Sequence, residues 1–389
     1  GIGMSALQIM RRVELPLARP AIAGGVALAL METLADFGTV AYFAVDTFTP
    51  GVYRAWFTLG DRAASAQLAA MRRGFVLVAL WLERASRGAA RTAGGARART
   101  IARGARPRLT GWRGAALSAL CSVPLAIGFV LPVLLLLRLL GSEPDIPALG
   151  RFVEGAWNSV RVATIAAAVA VAFAMLVAYA NRLSPGPGTR AASRILALGY
   201  AVPGTVLAVG VLLPLSTLDG WFAGAVRSAT GERAGLILTG TVFALVYAYQ
   251  VRYFTVASNA IEPAFDRITP AMDAAARSLG AGTMGTFRRV HAPLLSRSAA
   301  AALLLVFVDV MKELSATLVL RPFNFDTLAT QAFSLASDER LAEAAVPSLA
   351  IVAVGLLPIL LLSRAAMRRA DASTSGPPDV RGARGVATR

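Results

Sequence analysis

The chain has one cysteine and one histidine in 389 residues. A lone Cys121 excludes an internal disulfide framework and a thiolate metal cluster. A lone His291 excludes a histidine-based metal site. No G-x-x-x-x-G-K-[ST] stretch is present, so the chain does not bind ATP through a phosphate loop of that kind. It also lacks H-E-x-x-H, G-x-S-x-G and any Cys/His pair suited to nucleophilic catalysis. The adjacent acids Asp338 and Glu339 read as a solvated loop, not as an acid–base dyad. An enzyme and a resident metal or cofactor are therefore not expected.

Apolar residues and arginine are abundant. Hydrophobic residues make up 56% of the chain, and the mean hydropathy is +0.61. A soluble domain has roughly 45–50% apolar residues. The surplus is gathered in runs of about 20 residues, the length that carries a helix across a bilayer core. A spanning segment must satisfy its own backbone hydrogen bonds, so each run reads as a helix. This gives an all-α polytopic membrane protein of about eight spans, at 21–44, 65–83, 114–140, 157–182, 192–217, 235–256, 298–320 and 343–363. The span at 65–83 contains Arg72 and Arg73, and a mid-bilayer charge costs at least about 2.5–3.5 kcal/mol. That segment is either buried against other helices or starts near Gly74 and is short.

The net charge of +17 could point to nucleic acid. The arginines cluster between and after the apolar spans, however, and that is the membrane pattern. Segment 84–113 carries Arg84, Arg87, Arg91, Arg97, Arg99, Arg103, Arg106, Arg108 and Arg113. Segment 257–297 and the tail after 363 are also arginine-rich. With eight spans these segments and residues 1–20 all lie on one side, which the positive-inside rule makes cytoplasmic. The opposite loops hold Glu143, Asp145, Asp219, Glu232, Asp326, Asp338 and Glu339. The expected organisation is two spans in 1–83, a basic cytoplasmic linker at 84–113, six spans in 114–363 and a basic, disordered tail at 364–389.

One segment is written twice. Gly3 through Leu17 returns as Gly280 through Leu294, at an offset of 277 residues. Each copy reads Gly, nine residues, Val, any residue, Leu or Ala, Pro, and each leads into an apolar run. Gly3 with Pro16, and Gly280 with Pro293, mark the edges of a short helical element. On a bland reading, Arg11, Arg12, Arg288 and Arg289 only hold a connector on the cytoplasmic side. The matched length, polarity and ends instead point to a loop that docks a partner. An internal repeat sets the architecture as two homologous halves. The second copy follows about four spans, whereas the first stands at the start of the sequence. The chain therefore reads as a piece of a longer permease whose first half has further spans upstream.

The stretch Asp273-Ala274-Ala275-Ala276-Arg277-Ser278-Leu279-Gly280, then nine residues, then Val290-His291-Ala292-Pro293, resembles the EAA loop of ABC importer permeases. The family's acidic first residue falls at Ala274, with Asp273 one place early, and its Leu before Pro is Ala292. Glu32 to Val40 leading to Thr47–Trp56, and Lys312 to Leu318 leading to Arg321–Thr330, are similar to fused two-half permeases of the iron(III) type. The resemblance implies the type I importer transmembrane fold. It implies that Gly3, Arg11, Arg12, Pro16, Asp273, Ala275, Gly280, Arg288, Arg289 and Pro293 dock an ATPase dimer, which carries the ATP and Mg. It also implies a periplasmic or lipid-anchored binding protein that delivers the substrate, and a bacterial inner membrane location.

Glu32 with Asp36, and Asp309 with Glu313, are spaced i, i+4 and would share helix faces, with Lys312 beside the second pair. Ionisable groups inside spans face a protein interior or a water cavity. These five residues are candidates for the translocation pathway. The alternative is that Lys312 pairs with Asp309 or Glu313 and locks two helices. The carboxylates are too scattered for a metal cage, so iron(III) would only pass through. Alternative substrates are thiamine and a small organophosphonate. Rivals of other classes are a secondary transporter, which would need coupling-ion sites in broken mid-membrane helices, and a non-transporting scaffold.

Overall fold

The computed structural model describes residue 8 and residues 10–87, 111–142, 149–231 and 235–374. Gly3, most of the linker, Glu143, Asp145, Glu232 and residues 375–389 lie outside them. The first half supplies α1 (Leu15–Ala35), α2 (Gly38–Tyr42), α3 (Phe48–Phe57) and α4 (Arg62–Arg87). The second opens with α5 (Trp112–Leu125), a π-helical turn and α6 (Leu131–Leu140), then α7 (Leu149–Leu183) and α8 (Pro187–Leu196). Next come α9 (Gly204–Thr230), α10 (Val242–Phe265), α11 (Pro270–Ser278) and α12 (Thr283–Thr286). Last are α13 (Ala292–Met311), α14 (Ser315–Leu320), α15 (Leu328–Ser337) and α16 (Leu341–Thr374).

The core is built on small residues. On α7, Ala163, Ala166, Ala167, Ala170, Ala174 and Ala178 are all buried. Spacings of three and four put them on one helix face. In lipid the solvent is as apolar as the side chains, so close backbone approach through small residues is what holds spans together. Helices α10 and α13 pack against α7 and against each other. They meet it with small residues of their own, among them Ala244, Ala248, Ala257 and Ala302.

Among the described residues, five helical stretches are long and apolar enough to cross a membrane: Gly114–Leu140, Gly150–Leu183, Gly204–Thr230, Thr283–Met311 and Leu341–Pro358. Helix α10 stands with them in length, but carries Arg252 and Glu262. It packs against α7 and α13, Arg252 pairs with Glu313, and Glu262 accepts from Ser258 one turn back. The fold is that of a multi-pass helical membrane protein.

Several spans differ from their expected limits, each for a local reason. The span expected at 192–217 is broken. A 3₁₀ turn over Ala197–Ala201 is followed by extended Val202, and α9 starts only after Pro203. A residue before proline is driven out of the helical region, so the chain must restart there. The span expected at 298–320 ends at Met311, and α14 resumes at Ser315. In the first half α1 stops at Ala35, and Asp36 takes an extended conformation. Helix α4 runs through Gly74 without interruption. Arg72 on it is buried, while Met71, Phe75 and Val78 beside it are exposed. Helix α16 continues past 363 to Thr374, through alanines and arginines that favour helix.

The two halves meet. Helix α3 packs on α9, and α2 on α15. Phe37 is buried between Tyr53, at 5.2 Å between ring centroids, and Phe333, at 5.7 Å. Gly38 admits Leu314 of the second half: a Cβ at Gly38 would lie 3.0 Å from its Cδ2.

Candidate functional site: a repeated loop and a cavity between the halves

The sequence repeat is also a structural repeat. Met10–Glu14 and Phe287–His291 each form a five-residue π-helical turn, and each leads directly into an α-helix with proline at its second position. Proline has no N–H to bond the carbonyl four residues back, and its ring clashes with that carbonyl. Widening the preceding turn relieves both problems. Pro16 and Pro293 therefore do not end the element, as the sequence suggested. They sit inside the start of the helix that follows, and the wide turn is the conformation they impose. Arg11 and Arg12 are exposed on the first turn, and Arg288 and Arg289 on the second, with Pro16 half-buried and Pro293 exposed.

In the second copy the loop projects from the body. Thr269 in extended conformation precedes Pro270 at the first position of α11, a favoured helix start. The helix ends at Leu279, and Gly280 adopts φ +81°. That left-handed conformation is open to glycine without penalty. Gly280 thus marks the edge between α11 and the element that follows. Ala274, Ala275 and Arg277 are exposed, as are Met272, Leu279 at 87% and Met284 at 60%. The free face is thus apolar with arginines beside it.

The opposite face of α11 is tied down by charge, and Asp273 lies on that inward face and not, as the resemblance implied, on the free face. Asp273 accepts a hydrogen bond from Arg182 Nε at 2.7 Å, and its other oxygen lies 2.9 Å from His291 Nε2. Arg182, in the last turn of α7, also donates to the carbonyls of Phe265 (3.1 Å) and Ile268 (2.7 Å) at the end of α10. His291 is fully buried, with Phe265 and Tyr179 against its ring. Tyr179 donates to the Thr283 carbonyl at 2.7 Å. Burial alone would raise the Asp273 carboxyl. The hydrogen bond and charge of Arg182, with His291 behind, outweigh it and hold the group below the ordinary carboxylate range. A carboxylate only accepts, so Nε2 of His291 carries the proton.

Four of the five residues considered for the pathway, Asp36, Asp309, Lys312 and Glu313, gather at the seam. A cavity of about 370 Å³ is lined by Asp36, Phe37 and Gly38 from the first half and by Arg252, Tyr253, Asp309, Lys312 and Glu313 from the second, among others. Their arrangement is not the one expected. Asp36 and Glu32 do not share a helix face, because the chain leaves the helix at Asp36. The Asp36 carboxylate instead accepts from the Thr39 amide at 3.4 Å, at the start of α2. Glu32 lies on α1. Asp309 and Glu313 are separated by the break at Lys312. Lys312 pairs with Asp309 at 3.0 Å within the same stretch of chain, and so locks no second helix.

The inter-helix lock is made by Arg252 and Glu313. Arg252 Nη2 lies 3.5 Å from Glu313 Oε2, which also accepts from Tyr253 Oη at 2.7 Å. The other Glu313 oxygen accepts from the Ala316 amide at 3.0 Å, capping α14. Gly204 permits this: a Cβ there would lie 2.6 Å from Arg252 Nη1 and 2.7 Å from Glu313 Oε1.

Sequence reasoning passed over Arg252, Arg182 and the role of His291. A lone arginine in the apolar run of α10 was a usable signal. The partnership of Arg182 with Asp273 was not, because 91 residues separate them.

No family model matches the chain. A permease of a Fe(3+)-transport system from Haemophilus influenzae is 24% identical over 360 residues, which is 91% of this chain and 67% of the relative. A molybdenum ABC transporter permease from Haloferax volcanii is 32% identical over 42% of this chain and 58% of its own length. A 2-aminoethylphosphonate transport permease from Salmonella typhimurium is 27% identical over 45% of this chain and 60% of its own length. The chain spans less than two thirds of the latter two relatives. Among solved structures, a bacterial alginate ABC transporter in complex with its periplasmic protein has a chain that superposes with a TM-score of 0.51 at 14% identity, covering 65% of this chain and 94% of that one. The chain has the fold of ABC importer permeases, and its relatives bear out the resemblance to the iron(III) type that its repeated loop and flanking stretches carry.

Proposed function

We propose that the chain is the transmembrane permease subunit of an ATP-binding-cassette importer in a bacterial inner membrane, passing iron(III) handed over by an extracytoplasmic binding protein. One observation carries this reading. A loop repeated in sequence and in its π-helical turn offers, in its second copy, a free apolar and basic face while its other face is bonded into the spans. The face carrying Ala275, Gly280, Arg288 and Arg289 suits an ATPase subunit, and ATP with Mg would be bound there and not on this chain.

The proposed mechanism is alternating access. Closure of the ATPase dimer moves the docked loops, the two halves rock, and the seam where Asp36 faces Arg252, Asp309, Lys312 and Glu313 opens to the binding protein. The Haemophilus relative, which covers most of the chain, supports iron(III) as the substrate. A second reading, a small organophosphonate, is favoured by the aminoethylphosphonate relatives and by the cations Arg252 and Lys312 in the cavity wall. A secondary transporter fits less well, since the repeated signature lies in a loop outside the spans and not in broken mid-membrane helices.

The test is uptake by the full-length protein in proteoliposomes with its own ATPase and binding protein. ATP-dependent uptake of labelled iron(III) is expected. Uptake of 2-aminoethylphosphonate alone would replace iron by the second reading, and failure of any ATPase to co-purify would remove the importer reading altogether.

A further inference from the structure

The docking face explains how an ATPase could be held, but not how its motion reaches the spans. The chain has one histidine, and it is buried to 0% exposure beneath the docking helix. Its Nε2 meets one oxygen of Asp273 at 2.9 Å while Arg182 Nε meets the other at 2.7 Å. Asp273 lies on α11, His291 in the π-turn before α13, and Arg182 at the end of α7, with further bonds to the end of α10. The carboxylate thus ties the docking helix to the end of α7 and the start of α13, and Arg182 extends the tie to the end of α10; these three helices form the alanine-rich core.

From this geometry we infer that His291 and Arg182 are positioning residues that couple the docking helix to α7, α10 and α13, so that ATPase closure moves these spans as one body. The inference rests on the proposed importer function. Neither residue forms part of the docking face: His291 is buried, and Arg182 points inward to Asp273 and two carbonyls. Without the His291 bond, α11 keeps its tie to α7 through Arg182 but loses the Asp273 bond to the turn that leads into α13, and docking can proceed while its displacement is absorbed in the loop. The consequence is hydrolysis without proportionate transport.

The stacking of Phe265 at 5.5 Å and Tyr179 at 5.3 Å fixes the imidazole so that Nε2 faces Asp273. Glutamine can place an amide N–H near the Nε2 position, whereas leucine fills the volume without a donor. A merely structural role would need the volume, and a coupling role would need the donor.

The experiment uses the full-length protein with its ATPase and binding protein in proteoliposomes, measuring ATPase co-purification, ATP hydrolysis and uptake separately. His291→Leu should retain co-purification and hydrolysis while uptake per ATP falls about tenfold, the equivalent of one lost hydrogen bond to a charged group. His291→Gln should restore most of the ratio, and Asp273→Asn should resemble His291→Leu. An unchanged uptake-to-hydrolysis ratio in His291→Leu would overturn the inference. So would failure of His291→Gln to differ from His291→Leu. If His291→Leu does not assemble, Asp273→Asn decides by the same ratio. Failure of the wild-type protein to bind an ATPase would instead sink the importer reading beneath it.

Discussion

Asp273 lies in the first turn of α11 and Gly280 just past its end, and the two are constrained for different reasons. At Gly280 the constraint is the backbone: φ is +81° and no atom lies within 4 Å of where a Cβ would stand. Gly280→Ala should therefore cost about 1–2 kcal/mol of local stability from conformation alone. The spans should stay folded while ATPase co-purification weakens, and a pull-down equal to wild type would contradict this. At Asp273 the constraint is charge. Its carboxyl is depressed below the unfolded value of about 4, so its stabilisation is fully present above that pH. The stabilisation is lost as pH falls through the depressed folded value. Hydrogen-exchange protection at the buried Ala276, corrected for intrinsic rates, should fall in that acid window. Asp273→Asn should remove the pH dependence.

At the scale of elements, breaks do as much as helices. The 3₁₀ turn at 197–201 passes so close to α10 that a Cβ on Gly199 would sit 1.8 Å from the Val251 carbonyl oxygen. Both parties are backbone, so neither can swing away. Gly199→Ala should push the turn off α10 and cost at least the ~1–3 kcal/mol of ordinary overpacking. A thermal-melting temperature in detergent matching wild type would refute this close contact. The break at Lys312–Leu314 has a comparable effect on the seam, placing Glu313 where it both caps α14 and meets Arg252. An unbroken helix there would have carried the carboxylate on around the helix.

For the whole molecule, the arginine distribution predicts which end faces the cytoplasm. Leu279 and Phe323 make the check, since both are exposed, at 87% and 99%, and one crossing lies between them. With Cys121 replaced by Ala, a cysteine at 323 should react with a membrane-impermeant reagent on intact cells, and one at 279 only after permeabilisation. The reverse labelling would invert the topology. Equal labelling of both from outside would break the assignment of α13 as a span.

The sequence by itself determined the helical class, the membrane as solvent and the repeated loop. These follow from local quantities: run length, arginine placement, and a glycine and proline at fixed spacing. Even the π-turns before Pro16 and Pro293 are a local consequence of proline's missing N–H. Tertiary structure alone decided which charges meet. Glu313 found Arg252 on another helix, not Lys312 beside it, and Asp36 turned to cap the start of α2. Asp273 joined Arg182 and His291 across a fold that brings four helix ends together. The reason is physical. A charge withdrawn from water takes the partner that packing presents, and packing is set by the small-residue faces of α7, α10 and α13 and not by proximity along the chain.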